Sequence, residues 1–447
     1  MDTNERLRSS RFNLVTAYEA TSELLIFNTL TGALIALPND LGLTVSAVLA
    51  GELPIAALDS ETAEALHNQG ILIGRDTDED QLVVQRHELG VADPNRLDVF
   101  LLPNMNCNFA CPYCYEDHAP SQMSDEVEAR ILTWFTEVAP RFKVVLLSWF
   151  GGEPMLSFER VLSMQRSIKR ICDEAGTIFN SHMTTNGYLL SPERARKLCD
   201  ADLLSYQITV DGPPDIHNQR RLLKGPGDSF DRVFGNLCDL AEAEHRANIK
   251  LRVNFDPITL RRVPELLEMV PRESRPRIHL VLERLFGQSE LFIGRRVNDV
   301  ARTTEEVYEI ARSMGFAVTT TPLEPGKLTY CYADREHEVV FNHLGDVFKC
   351  TVSKFTSDER LGVLSEDGRI AWDNAGLDSW VAIPAFETKC FSCTYQPMCM
   401  GGCRKSRGQI GTVGDDCTHP FAALDERVRR RYATMVGEVV GTEAAFT

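Results

Sequence analysis

The stretch Met105-Asn106-Cys107-Asn108-Phe109-Ala110-Cys111-Pro112-Tyr113-Cys114-Tyr115-Glu116 contains three cysteines with the spacing Cys-x3-Cys-x2-Cys. It directly follows an apolar run, Leu97–Leu102, that is typical of a strand, so one strand delivers three thiolates to one loop. Three protein ligands leave a metal position open for chemistry, whereas structural zinc sites normally close with four. On a cubane iron–sulfur cluster the open position is an iron that can bind a small molecule. The stretch therefore predicts a metal-cluster loop with an open site.

Length and composition place the rest of the chain in a broad class. A chain of 447 residues is too long for one compact core, so two or three domains are expected. The net charge of −17 argues against a general nucleic-acid binder. No apolar run reaches the roughly 18–20 residues of a membrane helix, and no secretory signal opens the chain. We therefore expect a cytoplasmic protein that binds neither nucleic acid nor membrane.

The cysteines indicate metal binding rather than disulfides. The chain has 13 cysteines and no visible export signal, and reducing compartments keep thiols free. Cys172, Cys199 and Cys238 stand alone in helical patterns, which predicts small buried hydrophobic residues. Apart from the opening three, the clustered cysteines lie in the C-terminal part: Cys331, Cys350, Cys390, Cys393, Cys399, Cys403 and Cys417.

Residues 97–287 alternate between strand and helix patterns, which predicts parallel βα units and a partial, open (β/α)6 barrel. A helix is predicted over 124–138, with Ser124 as its cap. The polar residues 76–95 are predicted to be a linker. Chemistry in such folds lies at the carboxyl ends of the strands. The predicted strands are Leu97–Leu102, Val144–Phe150, Phe179–Thr185, Leu203–Val210, Lys250–Asn254 and Ile278–Glu283.

These strand ends carry polar and glycine-rich segments. Gly151 and Gly152 permit close backbone approach, and Glu153 offers a partner for an ammonium group. The next strands end in Thr184-Thr185-Asn186-Gly187 and Thr209-Val210-Asp211-Gly212-Pro213, followed by Arg220-Arg221. Asp211-Gly212-Pro213 is also typical of a turn. A guanidinium group here is suited to bidentate binding of a carboxylate.

The cysteine spacing and the strand ends together resemble the radical SAM superfamily. The resemblance implies a [4Fe–4S] cluster on the three loop cysteines, with S-adenosylmethionine (SAM) on the open iron. It implies a 5′-deoxyadenosyl radical that abstracts hydrogen from a substrate, and a flavodoxin- or ferredoxin-type electron donor. Arg220 is an alternative to Arg221 in the implied set. The implied SAM contacts are Gly151, Gly152 and Glu153 for the amino group, Thr185 and Asn186 at a polar strand end, Thr209 and Arg221 for ribose or carboxylate, and the backbone of Tyr115 for adenine.

The C-terminal cysteine spacing resembles the SPASM domain of radical SAM peptide maturases. The resemblance assigns Cys390, Cys393, Cys399 and Cys417 to a distal auxiliary [4Fe–4S] cluster, and Cys331, Cys350 and Cys403 to a nearer one. The chain would thus hold three clusters, and the nearer auxiliary cluster would lack one thiolate. We predict an open iron there that binds a substrate cysteine, unless His337 or His343 fills the position. A pair of zinc ribbons is the alternative.

The N-terminal segment is predicted to form a small α+β domain. Leu24–Asn28 and Ala33–Leu37 predict a hairpin, helices follow over 38–49 and from Ser60, and Gly70–Ile73 returns as a strand. This order resembles the winged-helix-like RiPP recognition element, which binds the leader of a precursor peptide as an added strand. A packing or dimerisation domain is the alternative.

The predicted organisation is a peptide-binding domain over 1–90, a radical SAM core over 96–315 and a SPASM domain over 320–447. The predicted function is modification of a ribosomally made precursor peptide by crosslinking, with a thioether favoured over a C–C or C–O bond. Alternatives are a peptide epimerase or dehydrogenase, formylglycine formation as in anaerobic sulfatase maturases, and a non-enzymatic scaffold. Thr351 counts against the sulfatase alternative, because that family has an aspartate there.

Overall fold

The computed structural model describes residues 6–285, 297–318, 328–405 and 424–437. They form two compact units. The first unit comprises Met1–Ala92, Thr321–Asp334 and Pro384–Thr447, and the second comprises Asp93–Thr320 and Arg335–Ile383. No helix among the described residues is both long and apolar enough to span a membrane.

Strands and helices occur along the whole of the described chain. The strands are β1 Leu7–Ser9, β2 Asn13–Tyr18, β3 Glu23–Asn28, β4 Leu34–Pro38, β5 Leu72–Gly74, β6 Arg96–Leu101, β7 Val144–Trp149, β8 Ile178–Thr185, β9 Ser205–Thr209, β10 Asn248–Phe255, β11 Ile278–Arg284, β12 Ala317–Val318, β13 Glu338–Phe341, β14 Asp346–Phe348, β15 Gly362–Leu364 and β16 Ile370–Trp372. The helices are α1 Asn39–Leu49, α2 Ser60–Asn68, α3 Glu79–Val91, α4 Asp125–Val138, α5 Phe158–Ala175, α6 Pro192–Cys199, α7 Pro214–Arg220, α8 Phe230–Ala243, α9 Val263–Met269, α10 Val297–Ser313, α11 Asn374–Val381, α12 Gln396–Cys399 and α13 Leu424–Met435.

The second unit is built on one mostly parallel sheet. Its strand order is β12-β11-β10-β9-β8-β7-β6-β13-β14-β15-β16, and every pair from β12 to β13 is parallel. Strands β14 to β16 continue the sheet in antiparallel pairs. The predicted alternation of strands and helices is confirmed, because the six predicted strands correspond to β6–β11. Their carboxyl ends therefore meet at one edge of the sheet.

The hydrophobic core of this unit lies between the sheet and its helices. Alternate residues of each strand face the helices, as the two-residue period of a strand requires; in β10 these include Ile249, Leu251 and Val253, which are fully buried. Lys250 and Arg252 lie on the opposite face of the same strand. The predicted burial of the isolated cysteines is confirmed for Cys172 and Cys199, and Cys238 packs partly buried against the same core.

The start of α4 agrees with the sequence. Ser124 precedes the helix in extended conformation, and its hydroxyl accepts a hydrogen bond from the backbone N–H of Val127 at 3.3 Å. Such a cap satisfies one of the N–H groups that the first turn leaves without an intrahelical partner. The predicted cap is therefore confirmed.

The first unit contains an antiparallel sheet, β2-β3-β4, and the short antiparallel pair β1-β5. The predicted hairpin is confirmed as β3 and β4, with Ile26 opposite Ile35. Helices α1 and α2 follow as predicted, and they cover Ile26 and Ile71 with Val45 and Leu66. The winged-helix-like character of this segment stays a prediction, and so do the three domain boundaries.

The linker predicted over 76–95 is wrong, because most of it forms α3. Asp78 caps the helix by accepting a hydrogen bond from the N–H of Gln81 at 3.0 Å. The first turn contains acidic residues, whose negative charges interact favourably with the positive end of the helix dipole. Only a narrow stripe of α3 is buried, including Val83, which packs with Phe12, Phe386 and Met400. A helix with so narrow an apolar stripe gives little periodic signal in the sequence.

Two helical glycines provide a test of how tightly α3 packs. A Cβ on Gly90 would lie 2.9 Å from the backbone carbonyl carbon of Leu328, whereas a Cβ on Gly235 in α8 would meet nothing within 4 Å. Helix propensity alone favours alanine by about 0.5–1 kcal/mol at both positions. We expect Gly235→Ala to raise the free energy of unfolding by that amount, and Gly90→Ala to lower it by about 1–3 kcal/mol through overpacking. Urea unfolding checks both, and a stabilising Gly90→Ala would show that α3 does not pack against Leu328.

Candidate cofactor site

The three cysteines of the opening stretch lie in the loop between β6 and α4, residues 102–124, which we call the cysteine loop. Cys107, Cys111 and Cys114 line one cleft at the carboxyl ends of the strands. The loop is fastened to the segment after α7, since the N–H of Ala110 donates to the carbonyl of Leu222 at 2.7 Å. The structure thus brings the three thiols together. Other predicted residues that line this cleft are Tyr115, Gly151, Gly152, Thr185, Asn186, Thr209 and Arg221.

The two glycines after β7 allow two backbones to touch. A Cβ on Gly152 would lie 2.6 Å from the carbonyl carbon of Asn106, and one on Gly151 would overlap the carbonyl oxygen of Asn104. Gly151 also has a φ of +104°, which disfavours any residue with a side chain. The N–H of Glu153 donates to the carbonyl of Asn106 at 2.8 Å. The glycines therefore let the end of β7 press against the cysteine loop.

Glu153 lies beneath the cleft and does not line it. Its side chain is fully buried, and its carboxylate accepts hydrogen bonds from the Thr185 hydroxyl at 2.7 Å, the Asn186 N–H at 2.7 Å and the Met155 N–H at 2.9 Å. Burial raises the pKa of this carboxyl, while the three hydrogen bonds act in the opposite direction. Glu153 thereby ties the end of β7 to the end of β8. Its contact with an amino group stays a prediction.

The structure distinguishes Arg220 from Arg221, which the sequence left as alternative SAM contacts. Arg221 lines the cleft, is 8% exposed, and donates through Nη1 to the Tyr113 hydroxyl at 3.0 Å. Its Nε has no hydrogen-bond partner among the described residues. Arg220 instead forms an ion pair with Asp256, the residue after β10, and does not line the cleft. Of the two guanidinium groups, only that of Arg221 lines the cleft.

Several polar residues of the site were not assigned to it from sequence. Tyr113, Arg252 and Asn254 line the cleft, and Asp211 bonds to Tyr113 behind it. A signal existed for Arg252, Asn254 and Asp211, because they occupy the carboxyl ends of β10 and β9 or follow them directly. Tyr113 gives no such signal, since it is a spacer between two cysteines.

The donor set of the cleft fits an iron–sulfur cluster. Burial raises the pKa of Cys107 to about 12 and that of Cys114 to about 11, so a bound metal must supply the stabilisation of the thiolates. Among the described residues, no three His, Cys, Asp or Glu side chains are close enough to hold one metal ion. In a cubane cluster each cysteine binds a different iron, so its ligands are spaced more widely than those of a single ion.

Comparison with known families agrees with this site. Residues 102–270 match the family described as the Radical SAM superfamily. The chain contains a radical SAM domain. The matched residues include the cysteine loop and strands β7–β10. They therefore include the ends of these four strands, where the cleft lies.

Two curated relatives are similar to this chain over different lengths. Mycofactocin maturase MftC of Mycobacterium tuberculosis is 27% identical over 316 residues, which cover 67% of this chain and 76% of the relative. GTP 3′,8-cyclase of Parasynechococcus marenigrum is 36% identical over 162 residues, covering 34% of this chain and 42% of the relative. The MftC match extends well beyond the family match, whereas the cyclase match is shorter.

Solved structures confirm the fold. The enzyme anSMEcpe, solved with AdoMet and the Cp18Cys peptide, aligns with a TM-score of 0.57 and 16% identity over 76% of this chain and 97% of that chain. SuiB of Streptococcus suis, solved with its precursor peptide SuiA, aligns with a TM-score of 0.51 and 14% identity over 89% of this chain and 95% of that chain. The predicted radical SAM α/β fold with a mostly parallel sheet is therefore confirmed.

The C-terminal cysteines are divided between the two units. Cys350 belongs to the second unit and Cys417 lies outside the described residues. The other five belong to the first unit: Cys331, Cys390, Cys393, Cys399 and Cys403. Of the two histidines offered as alternative ligands, His337 packs edge-on against Phe142 at 5.0 Å, and burial lowers the pKa of His343.

A buried ion pair connects the segments of Cys331 and Cys403. The N–H of Cys331 donates to the Asp334 carboxylate at 3.3 Å, and Arg404, the neighbour of Cys403, donates through Nε to the same carboxylate at 3.0 Å. Both charged side chains are at most 9% exposed. The structure thus links two of the three cysteines that the sequence assigned to one cluster.

The face of β8 that carries Thr184 also carries a titratable group. Burial, assisted by the charge of Lys250, lowers the pKa of His182 to about 4, and its ring nitrogens hydrogen-bond with Ser205 and Thr184. A histidine with a lowered folded pKa contributes stability above about pH 6.5 that is lost as the pH falls toward 4. We expect His182→Gln to remove about 2 kcal/mol of the stability loss between pH 6.5 and 4.5. Urea unfolding at both pH values measures it, with the exposed His245→Gln as the control; equal losses in wild type and His182→Gln would contradict a neutral His182.

Proposed function

We propose that this radical SAM enzyme modifies a ribosomally synthesised precursor peptide. The observation that carries the proposal is the single cleft in which three thiols, the Gly151-Gly152 contact and the Arg221 guanidinium meet. The peptide substrate is supported by the similarity to MftC, which is named as a maturase, and by SuiB and anSMEcpe, whose solved structures hold peptides.

Different residues of the site would contact different groups of SAM. Cys107, Cys111 and Cys114 would hold the [4Fe–4S] cluster, which together with SAM supplies a 5′-deoxyadenosyl radical when both are bound. Thr209 and Arg221 offer a hydroxyl and a guanidinium to the ribose and carboxylate. The backbone around Tyr115 would contact adenine. The remaining predicted contacts are Gly151, Gly152 and Glu153 for the amino group, with Thr185 and Asn186 beside them; of these five, only Glu153 does not line the cleft.

We further propose two auxiliary [4Fe–4S] clusters on the seven C-terminal cysteines. The proposal is supported by the cysteine spacing and by the Asp334–Arg404 pair, which holds the segments of Cys331 and Cys403 together. A flavodoxin- or ferredoxin-type donor would supply electrons. With one thiolate too few for two complete clusters, the nearer cluster would keep one iron open for a substrate thiolate.

Iron content tests the three clusters. Anaerobically reconstituted protein should contain about twelve irons and twelve sulfides per chain. Asp334→Asn removes the carboxylate charge that pairs with the buried Arg404, and breaking a buried ion pair typically costs about 3–5 kcal/mol. We expect that variant to lose about four irons while the cluster of the cysteine loop persists. Asp367→Asn, in an exposed turn, is the control. Zinc in place of iron, or full iron in Asp334→Asn, would contradict the proposal.

The leader of the precursor would bind the first unit as an added strand. Helix α13 packs on the face of the sheet that carries Leu25 and Phe27, and Arg429 of this helix donates to the Thr16 hydroxyl of β2 at 2.6 Å. Strand β4 pairs only with β3 among the described residues, so its outer edge offers backbone groups to a peptide. A strand added there would extend the sheet to β2-β3-β4-leader.

The crosslink is tested by mass. The peptide encoded by a short reading frame beside the gene, incubated with reduced enzyme and SAM, should become lighter by two hydrogens. If the bond is a thioether, the peptide must contain cysteine and its alkylatable thiol must disappear. The Cys107→Ser enzyme is the control and should leave the mass unchanged. Unchanged mass with deuterium uptake from solvent would favour the epimerase alternative and overturn the crosslink.

A further inference from the structure

One hydroxyl joins three parts of the site. Tyr113 lies in the cysteine loop between Cys111 and Cys114, and its hydroxyl donates to the carboxylate of Asp211, which follows β9. The same oxygen accepts hydrogen bonds from Arg221 Nη1 at 3.0 Å and from Asn254 Nδ2 at 3.4 Å. The loop, the end of β9 and the end of β10 therefore converge on the side chain of a residue that the cysteine spacing leaves unspecified.

The acceptor of this hydroxyl is itself held firmly. Asp211 is fully buried, and its other oxygen accepts hydrogen bonds from the backbone N–H of Asn254 at 3.1 Å and from its side-chain amide at 3.2 Å. The N–H of Asp211 donates to Nδ1 of His217, also fully buried, at 3.4 Å. Because Asp211 cannot turn away, the Tyr113 hydroxyl has one fixed direction in which to donate.

This arrangement keeps an arginine and an aspartate apart. A tyrosine hydroxyl donates one hydrogen bond and accepts others, so Tyr113 satisfies Asp211 and Arg221 at once without direct contact between the two charges. Arg220, by contrast, binds Asp256 directly and contributes nothing to the cleft. Arg221 presents a buried Nε without a partner among the described residues. The Nε donor is thus not used by Asp211 or by any other described residue.

We infer that Tyr113 is a positioning residue for SAM: its hydroxyl holds Arg221 toward the ligand carboxylate and prevents a direct Arg221–Asp211 ion pair. The inference rests on the proposed function, in which Arg221 contacts that carboxylate. The ligand chemistry recognised is an α-amino carboxylate attached to the adenosyl group. Without the hydroxyl, Arg221 turns onto Asp211 and its donors are consumed within the protein.

Ligands with and without the carboxylate test the inference. Full-length reconstituted enzyme is titrated with S-adenosylhomocysteine, which carries the carboxylate, and with 5′-methylthioadenosine, which lacks it. We expect Tyr113→Phe to weaken the first ligand about tenfold, the value of one hydrogen bond to a charged group, and the second less than about twofold. Iron content should equal that of wild type. Tyr188→Phe is the matched control, since Tyr188 packs on Phe109 of the same loop but does not line the cleft.

A second substitution separates positioning from folding. Replacing Asp211 by Asn in the Tyr113→Phe background removes the charge that competes for Arg221, while an amide oxygen still accepts from Asn254. We expect this double variant to recover part of the tenfold loss for S-adenosylhomocysteine. A purely structural role of Tyr113 would give an additional loss instead, and that result would overturn the inference.

The Arg221→Gln variant distinguishes failure of the inference from failure of the proposed function. If Arg221→Gln weakens S-adenosylhomocysteine selectively and Tyr113→Phe does not, the positioning role of Tyr113 is wrong while the carboxylate contact stands. If Arg221→Gln leaves both ligands unchanged, the proposed carboxylate contact is wrong. If Tyr113→Phe weakens both ligands equally or loses iron, Tyr113 only supports the loop and the inference is overturned.

Discussion

The site depends on a backbone contact that only glycine allows. Gly151 and Gly152 bring the end of β7 against the carbonyls of Asn104 and Asn106, at a separation that any Cβ would prevent. The next residue, Glu153, is then buried among three hydrogen-bond donors from its own turn and from β8. A buried carboxylate costs several kcal/mol unless it is hydrogen-bonded, so the donors must stay in place. Cysteine loop, β7 and β8 are therefore fixed relative to one another before any cofactor binds.

The adjacent residues Arg220 and Arg221 differ in role because their surroundings differ. Arg220 is the last residue of α7 and reaches Asp256 beyond β10, whereas Arg221 has left helical geometry and enters the cleft. Both side chains are cationic and both lie near a carboxylate. The difference is that a tyrosine hydroxyl stands between Arg221 and Asp211. A guanidinium neutralised by its own protein offers little to an anionic ligand, and one held through a neutral hydroxyl keeps its charge for that ligand.

The sequence predicted what local patterns encode. Alternating apolar periods located β6–β11, and the Ser124 cap marked the start of α4. The strand-end rule found part of the cleft: Gly151, Gly152, Thr185, Asn186 and Thr209. The prediction from sequence failed where the structure depends on contacts between residues that are distant in the chain. Helix α3 has a polar sequence, and its burial is decided by Phe386 and Met400, some 300 residues later. Tyr113 was missed for the same reason, since nothing in the cysteine spacing indicates that its hydroxyl meets the ends of β9 and β10.

The first unit joins the two ends of the chain in one core. Leu25 and Phe27 of β3 pack with Met398, Leu424 and Val428, and Arg11 donates to the carbonyl of Cys393 at 3.1 Å. Strands that would hold a leader and loops that would hold a cluster thus share buried side chains. A ligand that binds only the folded form stabilises all elements that fold together with its binding site. A cluster on the loops would therefore also stabilise the strands. Deleting residues 1–92 would uncover the apolar partners of β3, and the remaining C-terminal cysteine segment would lose the surface on which it is built.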